Sequence, residues 1–141
     1  MRGGDKIMHK NMFVNLPVKD LVKTKHFWEK LGYTFNSQFT DETAAALVLG
    51  DHSYAMLLTY EKIKDFTKKQ IVDAHTATEV LVALDMESKE KVDEMIEKVL
   101  EAGGIEARPA EDYGFMYGRS FEDLDGHIWE VFYMDPHYVQ K

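Results

Sequence analysis

Hydrophobic and polar residues alternate along residues 12–18, MFVNLPV, with the period of a half-buried β-strand. Asp20 then stands where it can cap a helix through LVKTKHFWEKL, and Gly32 stands where that helix can end. Three further strands are predicted at 33–39, 44–50 and 54–60. The first part of the chain therefore has the pattern strand, helix and three strands.

The same order of elements returns after residues 61–78, a polar stretch that we interpret as a connecting arm with a short helix. A strand is predicted at 79–85, and Ser88 can cap the helix that follows. The apolar residues of this helix recur at intervals of three and four: Val92, Met95, Ile96, Val99 and Leu100. After Gly103-Gly104, the last strands are predicted at 106–112, 115–121 and 127–134.

The two halves of the chain correspond at an offset of 66 residues, which sets Val18 against Leu84. Internal duplication is strong evidence about a fold. It predicts an α+β domain over residues 1–141, built from βαβββ modules at 12–60 and 79–134 and the arm at 61–78. One sheet face of each module has no helix over it. Two tandem modules can then form a cup-shaped mixed sheet with the helices on the outside.

The composition narrows the classes of partner. Of the 141 residues, 45% are hydrophobic, enough for a core, and the formal charge is −8. Nucleic acid and anionic membranes need a basic surface, so neither is expected as the main partner. The absence of cysteine excludes disulfides, zinc–thiolate sites and a cysteine nucleophile. No signal peptide or membrane-spanning run is visible, and a cytoplasmic location is expected.

The segment DLDGHIWEVFYM, residues 123–134, places a carboxylate in the middle of a strongly hydrophobic strand. A buried carboxylate without a partner is costly, so Glu130 faces either solvent or a cavity where its charge is used. Strand alternation sets Ile128, Glu130 and Phe132 on one face, and Trp129 and Val131 on the other. This pattern favours a Glu130 that faces the cavity of the cup.

The tandem βαβββ pattern, the LPVKDL entry to the first helix and the closing DLDGHIWEVF resemble the vicinal oxygen chelate superfamily. The superfamily includes lactoylglutathione lyase, extradiol dioxygenases, fosfomycin-resistance enzymes and bleomycin-resistance proteins. The resemblance extends from about Met12 to Met134. In metal-binding members, the glutamate four residues after the turn glycine ligates a divalent metal inside the cup. That position is Glu130 in this chain.

The resemblance implies four metal-ligand positions, and they fall on Phe13, Leu57, Glu79 and Glu130. Phenylalanine and leucine have no lone pairs to offer, and two carboxylates alone make a poor site for borderline cations. A complete metal site and a resident cofactor are therefore not expected. If a divalent metal binds, Glu79 and Glu130 would hold it, and His75 is the histidine best placed to join them.

Glu79 and Glu130 are also the candidate catalytic residues. We expect them to face each other in the cup, where two nearby carboxylates cannot both ionise cheaply. One of them would then act as a general acid or base, or hold a hydrogen bond to a ligand. The alternative is a carboxylate and water cluster with no role in chemistry, and the sequence favours neither.

The candidate ligand-binding residues follow from the same alternation along the strands. Arg119 has two readings: it points away from the cup with Asp112 or Glu122 as its partner, or a bulge turns it inward to bind an anionic ligand. The outward orientation is favoured. The full set of candidates is Phe13, Asn15, Leu57, Thr59, Ser120, Arg119 and Phe132.

These observations favour a protein that binds a small organic ligand in its cup without a complete metal site, as the resemblance to bleomycin-resistance proteins implies. The alternative is a metal-dependent enzyme that resembles lactoylglutathione lyase or an extradiol dioxygenase and uses Glu130 and Glu79. The resemblance also implies a homodimer. It does not identify the ligand or any reaction.

Overall fold

The computed structural model of the chain describes residues 7–138. Its elements follow the predicted order of strand, helix and three strands, repeated after an arm. They are β1 (Met12–Val18), α1 (Leu21–Lys30), β2 (Phe35–Asn36), β3 (Ala44–Val48), β4 (Ser53–Thr59), α2 (Tyr60–Ile63), β5 (Leu81–Asp85), α3 (Lys89–Ala102), β6 (Ile105–Asp112), β7 (Met116–Glu122) and β8 (Ile128–Met134).

The strands form two four-stranded sheets with the same topology, β1-β4-β3-β2 and β5-β8-β7-β6. In each sheet the first strand pairs in parallel with the last strand of its module, and the other pairs are antiparallel. This arrangement confirms the α+β class and the duplication. Within residues 7–138, no helix is long and apolar enough to cross a membrane.

The described residues form two compact units, and the division falls within α1. The first unit contains the chain through Lys25 together with Tyr33–Lys69. The second contains His26–Gly32 and the chain from Gln70 onwards. The second half of α1 therefore belongs to the unit built on the second sheet, although the sequence module that contains it is the first.

One face of the first sheet is buried in its middle. Leu16 of β1 is paired with Leu57 of β4, and Leu57 with Ala45 of β3, so the three side chains share that face. All three are at most 3% exposed. Because β1 alternates, Phe13 and Asn15 lie on the opposite face and are exposed.

The prediction of a strand at 33–39 is wrong for most of these residues. The observed strand β2 has only two residues, and a 3₁₀ turn, Ser37–Phe39, follows it. The Asn36 side chain accepts a hydrogen bond from Gln38 N at 2.9 Å. Thr40 Oγ1 accepts one from Ala46 N at 3.1 Å. These side chains satisfy backbone groups that strand pairing would otherwise have used, so the ladder stops.

The helix α3 begins and ends as its sequence predicts. Ser88 Oγ accepts a hydrogen bond from Lys91 N at 3.1 Å, and Gly103 ends the helix with φ of 105°. Val92, Met95, Ile96 and Val99 of the predicted stripe are buried. Leu100 is not, because 50% of it remains exposed.

Aromatic residues form the core of the second unit beneath its helices. The Trp28 ring lies 4.7 Å from that of Trp129 and 6.0 Å from that of Phe121. All three residues are fully buried. Two of the rings come from β8 and β7, and the third comes from the half of α1 that belongs to this unit, so this helix segment anchors the buried face of the second sheet.

The turn before β8 is organised by the buried carboxylate of Asp123. Its Oδ1 accepts hydrogen bonds from the N–H groups of Asp125 and His127, at 2.9 and 3.0 Å. Its Oδ2 accepts one from Trp129 Nε1 at 2.9 Å. Burial raises the pKa of the Asp123 carboxyl, and the charge of His127 and these donors oppose that shift. The carboxylate thus ties the turn to the first buried ring of the strand.

Gly126 in this turn touches the connecting arm. Its φ is 85°, in the left-handed region that favours glycine. A Cβ atom at this position would lie 2.7 Å from the backbone nitrogen of His75 and 2.8 Å from the carbonyl carbon of Ala74. The D-L-D-G turn therefore needs glycine for both its conformation and its contact with the arm.

We predict that Gly126→Ala destabilises the protein more than Gly114→Ala. Gly114 has nearly the same φ, 83°, and an added Cβ there meets no atom within 4 Å. Both substitutions cost about 1 kcal/mol for the backbone conformation, and Gly126→Ala adds about 1–3 kcal/mol for the clash. Urea unfolding of the two variants measures the difference, and equal losses would contradict the contact with the arm.

Candidate functional site

The candidate site lies on the face of the second sheet that is turned away from α3, which we call the distal face. One row of paired positions crosses this face from the β6 edge to the β5 edge. It consists of Arg108, Ser120, Glu130 and Ala83. Strand pairing thus places Glu130 on the face that the alternation predicted for it, directly beside Ser120.

Arg108 links two carboxylates on the distal face. Its Nη1 donates a hydrogen bond to Glu130 Oε2 at 2.6 Å, and its Nη2 donates one to Glu111 Oε1 at 3.0 Å. Tyr113 donates its phenolic hydrogen to Glu111 Oε2 at 3.1 Å. The side chains of Arg108, Glu111 and Glu130 are 44%, 39% and 29% exposed, so a ligand can reach all three.

The electrostatics of this network follow from its hydrogen bonds. The bonds to Glu130 and Glu111 raise the pKa of Arg108 above its usual value. The bond from Arg108 lowers the pKa of Glu111, and the bond to Glu111 raises the pKa of Tyr113. Arg108 therefore stays a cation and Glu111 an anion throughout the physiological range.

Ser120 is the polar group of the row that has no partner. It is 0% exposed, and its Oγ has no hydrogen-bond partner among residues 7–138. A buried hydroxyl without a hydrogen bond costs about 1–3 kcal/mol. A ligand atom bonded to the hydroxyl would recover part of this free energy, but a neighbouring side chain must move first, because the hydroxyl is closed to solvent.

The next row of the distal face has a gap in its middle. It consists of Asp85, Phe132, Gly118 and Glu111. Gly118 has no side chain, and a Cβ atom there would make only ordinary contacts, the nearest at 3.6 Å from Phe132 Cβ. Gly118 thus adds no side chain between Phe132 and the charged network.

On the first sheet, the structure corrects two of the predicted ligand-binding residues. Leu57 and Thr59 are paired with Leu16 and Val18 and lie on the buried face, away from Phe13. The prediction for β4 was one residue out of register, and such a slip moves every side chain to the other face. Thr59 instead caps α2, its Oγ1 accepting a hydrogen bond from Lys62 N at 3.2 Å.

The residues that accompany Phe13 and Asn15 on the exposed face are Tyr54 and Met56. The rings of Phe13 and Tyr54 stack at 5.0 Å with an interplanar angle of 13°. This face offers aromatic surface and the amide of Asn15. Alternation along β1 predicted Phe13 and Asn15 for this face. Tyr54 and Met56 were not predicted, because β4 was assigned a register that is one residue out.

Arg119 lies on the α3 side of the sheet, which agrees with the favoured outward orientation and contradicts the alternative in which a bulge turns it towards a ligand. Its Nε and Nη2 donate to the two oxygens of Glu106, at 2.9 and 3.0 Å. Its Nη1 donates to Asp93 of α3 at 2.9 Å, and Tyr117 donates to the same oxygen at 2.6 Å. The partners expected for it, Asp112 and Glu122, are not the ones it uses.

The metal ligands that the resemblance implied do not come together in the second unit. Glu79 is exposed and precedes β5, whereas the position paired with Glu130 is Ala83, four residues further along the chain. Residues 7–138 contain no group of three or more histidine, cysteine or acidic side chains able to hold a metal ion. Glu130 is bonded to a guanidinium instead. These residues do not fit the four-ligand site.

Sequence reasoning missed Arg108 and Glu111. The register of β6 shifts on both sides of Arg108, so simple alternation could not assign the two residues to a face. Pro109, between them in sequence, was the available signal, because proline within a strand indicates an edge strand or a bulge. The observed topology does place β6 at an edge.

The family of the chain is established by its sequence. The profile of the Glyoxalase/Bleomycin resistance protein/Dioxygenase superfamily matches residues 10–131, most of the chain. The chain therefore belongs to this superfamily, which agrees with the repeated topology of its two sheets. A comparison with curated proteins gave no match.

Several solved structures share the fold of this chain. Hypothetical protein SA1046 from S. aureus has 29% identity and a TM-score of 0.75, covering 89% of this chain and 95% of its own. A glyoxalase-related enzyme from Fulvimarina pelagi has 18% identity and a TM-score of 0.75, covering 90% and 88%. A glyoxalase/bleomycin resistance protein/dioxygenase from Nocardioides has 21% identity and a TM-score of 0.70, covering 99% and 91%.

We predict different roles for the two arginines of the second sheet. Arg119→Met leaves Glu106 without its partner and Asp93 with Tyr117 alone, and it lowers the free energy of unfolding by about 1–3 kcal/mol. Arg108→Met removes a more exposed ion pair and costs less than about 1 kcal/mol. Chemical denaturation of both variants tests this order. A larger loss for Arg108→Met would show that its network is structural and not a ligand site.

Proposed function

We propose that the protein binds a small organic molecule on the distal face of its second sheet and needs no metal ion for this. The observation that supports the proposal most directly is the bond between Arg108 Nη1 and Glu130 Oε2. In the resemblance, Glu130 is the metal-ligating carboxylate. Here a guanidinium takes up its charge, so a metal ion would have to displace an arginine that two carboxylates hold.

The surroundings of this bond suit an organic ligand. The distal face combines apolar surface from Leu81, Ile128 and Phe132 with a few polar groups, a mixture typical of small-molecule sites. Ser120 supplies an unused hydroxyl, and Gly118 adds no side chain beside Phe132. These groups orient a ligand through hydrogen bonds, and the apolar side chains contribute most of the binding free energy.

We predict that metal ions do not stabilise the protein through Glu130. Nickel, zinc, manganese and iron(II) are added separately to the wild type and to Glu130→Gln, and thermal unfolding is followed. Because a metal that binds the native state raises the melting temperature, absence of binding gives equal melting temperatures with and without metal. A rise of several degrees that Glu130→Gln abolishes would support the alternative, a metal-dependent lyase or dioxygenase.

We also predict that Gly118→Val blocks the ligand site without harming the fold. An alanine Cβ fits at this position, and valine is favourable in strands, so the melting temperature changes little. The added methyl groups project from the distal face beside Phe132. A fragment screen by protein NMR should perturb the amide signals of Ser120 and Glu130 in the wild type and not in the variant. Hits that bind both proteins equally would contradict the location of the site.

A further inference from the structure

The charges of the distal face are strongly unequal. Its strand positions include four carboxylates, those of Asp85, Glu111, Glu122 and Glu130. Arg108 is its one basic strand residue, because the second basic residue of these strands, Arg119, lies on the α3 side. The face therefore has a formal excess of three negative charges, which attracts cations and repels anionic ligands.

Two acceptor atoms beside Arg108 have no bond of their own. Glu130 uses Oε2 for Arg108, and its Oε1 has no hydrogen-bond partner among residues 7–138. The hydroxyl of Ser120, the neighbour of Glu130 in the same row, also has none. An acidic cluster alone would prove little, but a fully buried and unpaired hydroxyl within it points to a missing hydrogen-bond partner, which a donor beside these carboxylates would supply.

The guanidinium of Arg108 shows which donor geometry suits this place. It bridges Glu130 and Glu111 with two separate nitrogens, at 2.6 and 3.0 Å. A planar cation with two forked N–H groups matches carboxylate acceptors better than a single ammonium does. Arg108 is thus an internal occupant of a site that is complementary to such cations.

We propose that the ligand of the distal face is an organic cation with an amidinium or guanidinium group on an apolar body, and that it competes with Arg108. The inference rests on the proposed function and names its ligand class. The cationic group donates to the carboxylate of Glu130 and to Ser120 Oγ, and the apolar body lies on Phe132 and Ile128. Arg108 moves aside towards Glu111, which remains its partner.

Three probes of one shape but different charge test the proposal: benzamidine, benzamide and benzoate. Each is titrated into ¹⁵N-labelled protein, and the amide signals of Ser120 and Glu130 are followed. Benzamidine should bind at least about fivefold more tightly than benzamide, and benzoate more weakly than either, because of the charge of the face. The preference for benzamidine should decrease as salt is added.

The benzamidine affinity of variants with substitutions on the distal face, and of one with a substitution on the α3 side, tests the role of each charged group. Arg108→Gln removes the internal competitor and should tighten benzamidine binding about fivefold, whereas Glu130→Gln should weaken it by at least that factor. Asp112→Asn is the matched control for Glu130→Gln, since both substitutions remove one negative charge. Asp112 pairs with Lys89 at 3.8 Å on the α3 side, and its replacement should leave the affinity within about twofold.

Three results would overturn the inference. One is tighter binding of benzoate than of benzamidine, and another is weaker binding of benzamidine to Arg108→Gln, which would make Arg108 a ligand contact. The third is no binding of benzamidine to either protein. All three leave the proposed function to be judged separately, because the screen against Gly118→Val detects uncharged and anionic ligands as well.

Discussion

The second unit depends on the buried hydrogen bonds of Asp123. This carboxylate holds the turn before β8 and the indole of Trp129 together. A strand whose first inward side chain is fixed has no freedom of register left, because its side chains alternate between faces. With Trp129 held beneath the helices, Glu130 must point to the distal face. A packing requirement in the core thus determines the position of a charged group on the surface.

The distal face differs from a metal centre in the way it balances its charge. Metal sites gather several anionic or neutral ligands around one small cation. Here the balancing cation is the side chain of Arg108, which is part of the chain and remains only partly buried. The remaining carboxylates leave an excess of negative charge on this face.

Sequence patterns predicted the fold better than the site, for physical reasons that particular residues show. The alternation of β8 and the stripe of α3 follow from burial, which acts on every residue of an element. Leu57 was misplaced because a continuous apolar run, YAMLLTY, gives no indication of which residues face the core. Arg108 was missed because two register shifts in β6 interrupt the alternation. Arg119 found partners in Glu106 and Asp93, which only tertiary packing brings near.

Pro109 affects how the molecule can associate with other chains. It lies in β6, the edge strand of the second sheet, and has no N–H group to donate to a further strand. The register shifts around it also distort the row of backbone groups that a neighbouring strand would need. Addition of a further strand at this edge, the usual route from an exposed strand to fibrous aggregates, is therefore disfavoured. The irregularity that sets Arg108 and Glu111 on the distal face thus also makes the β6 edge a poor template for another chain, whereas β5 forms the other edge of the sheet.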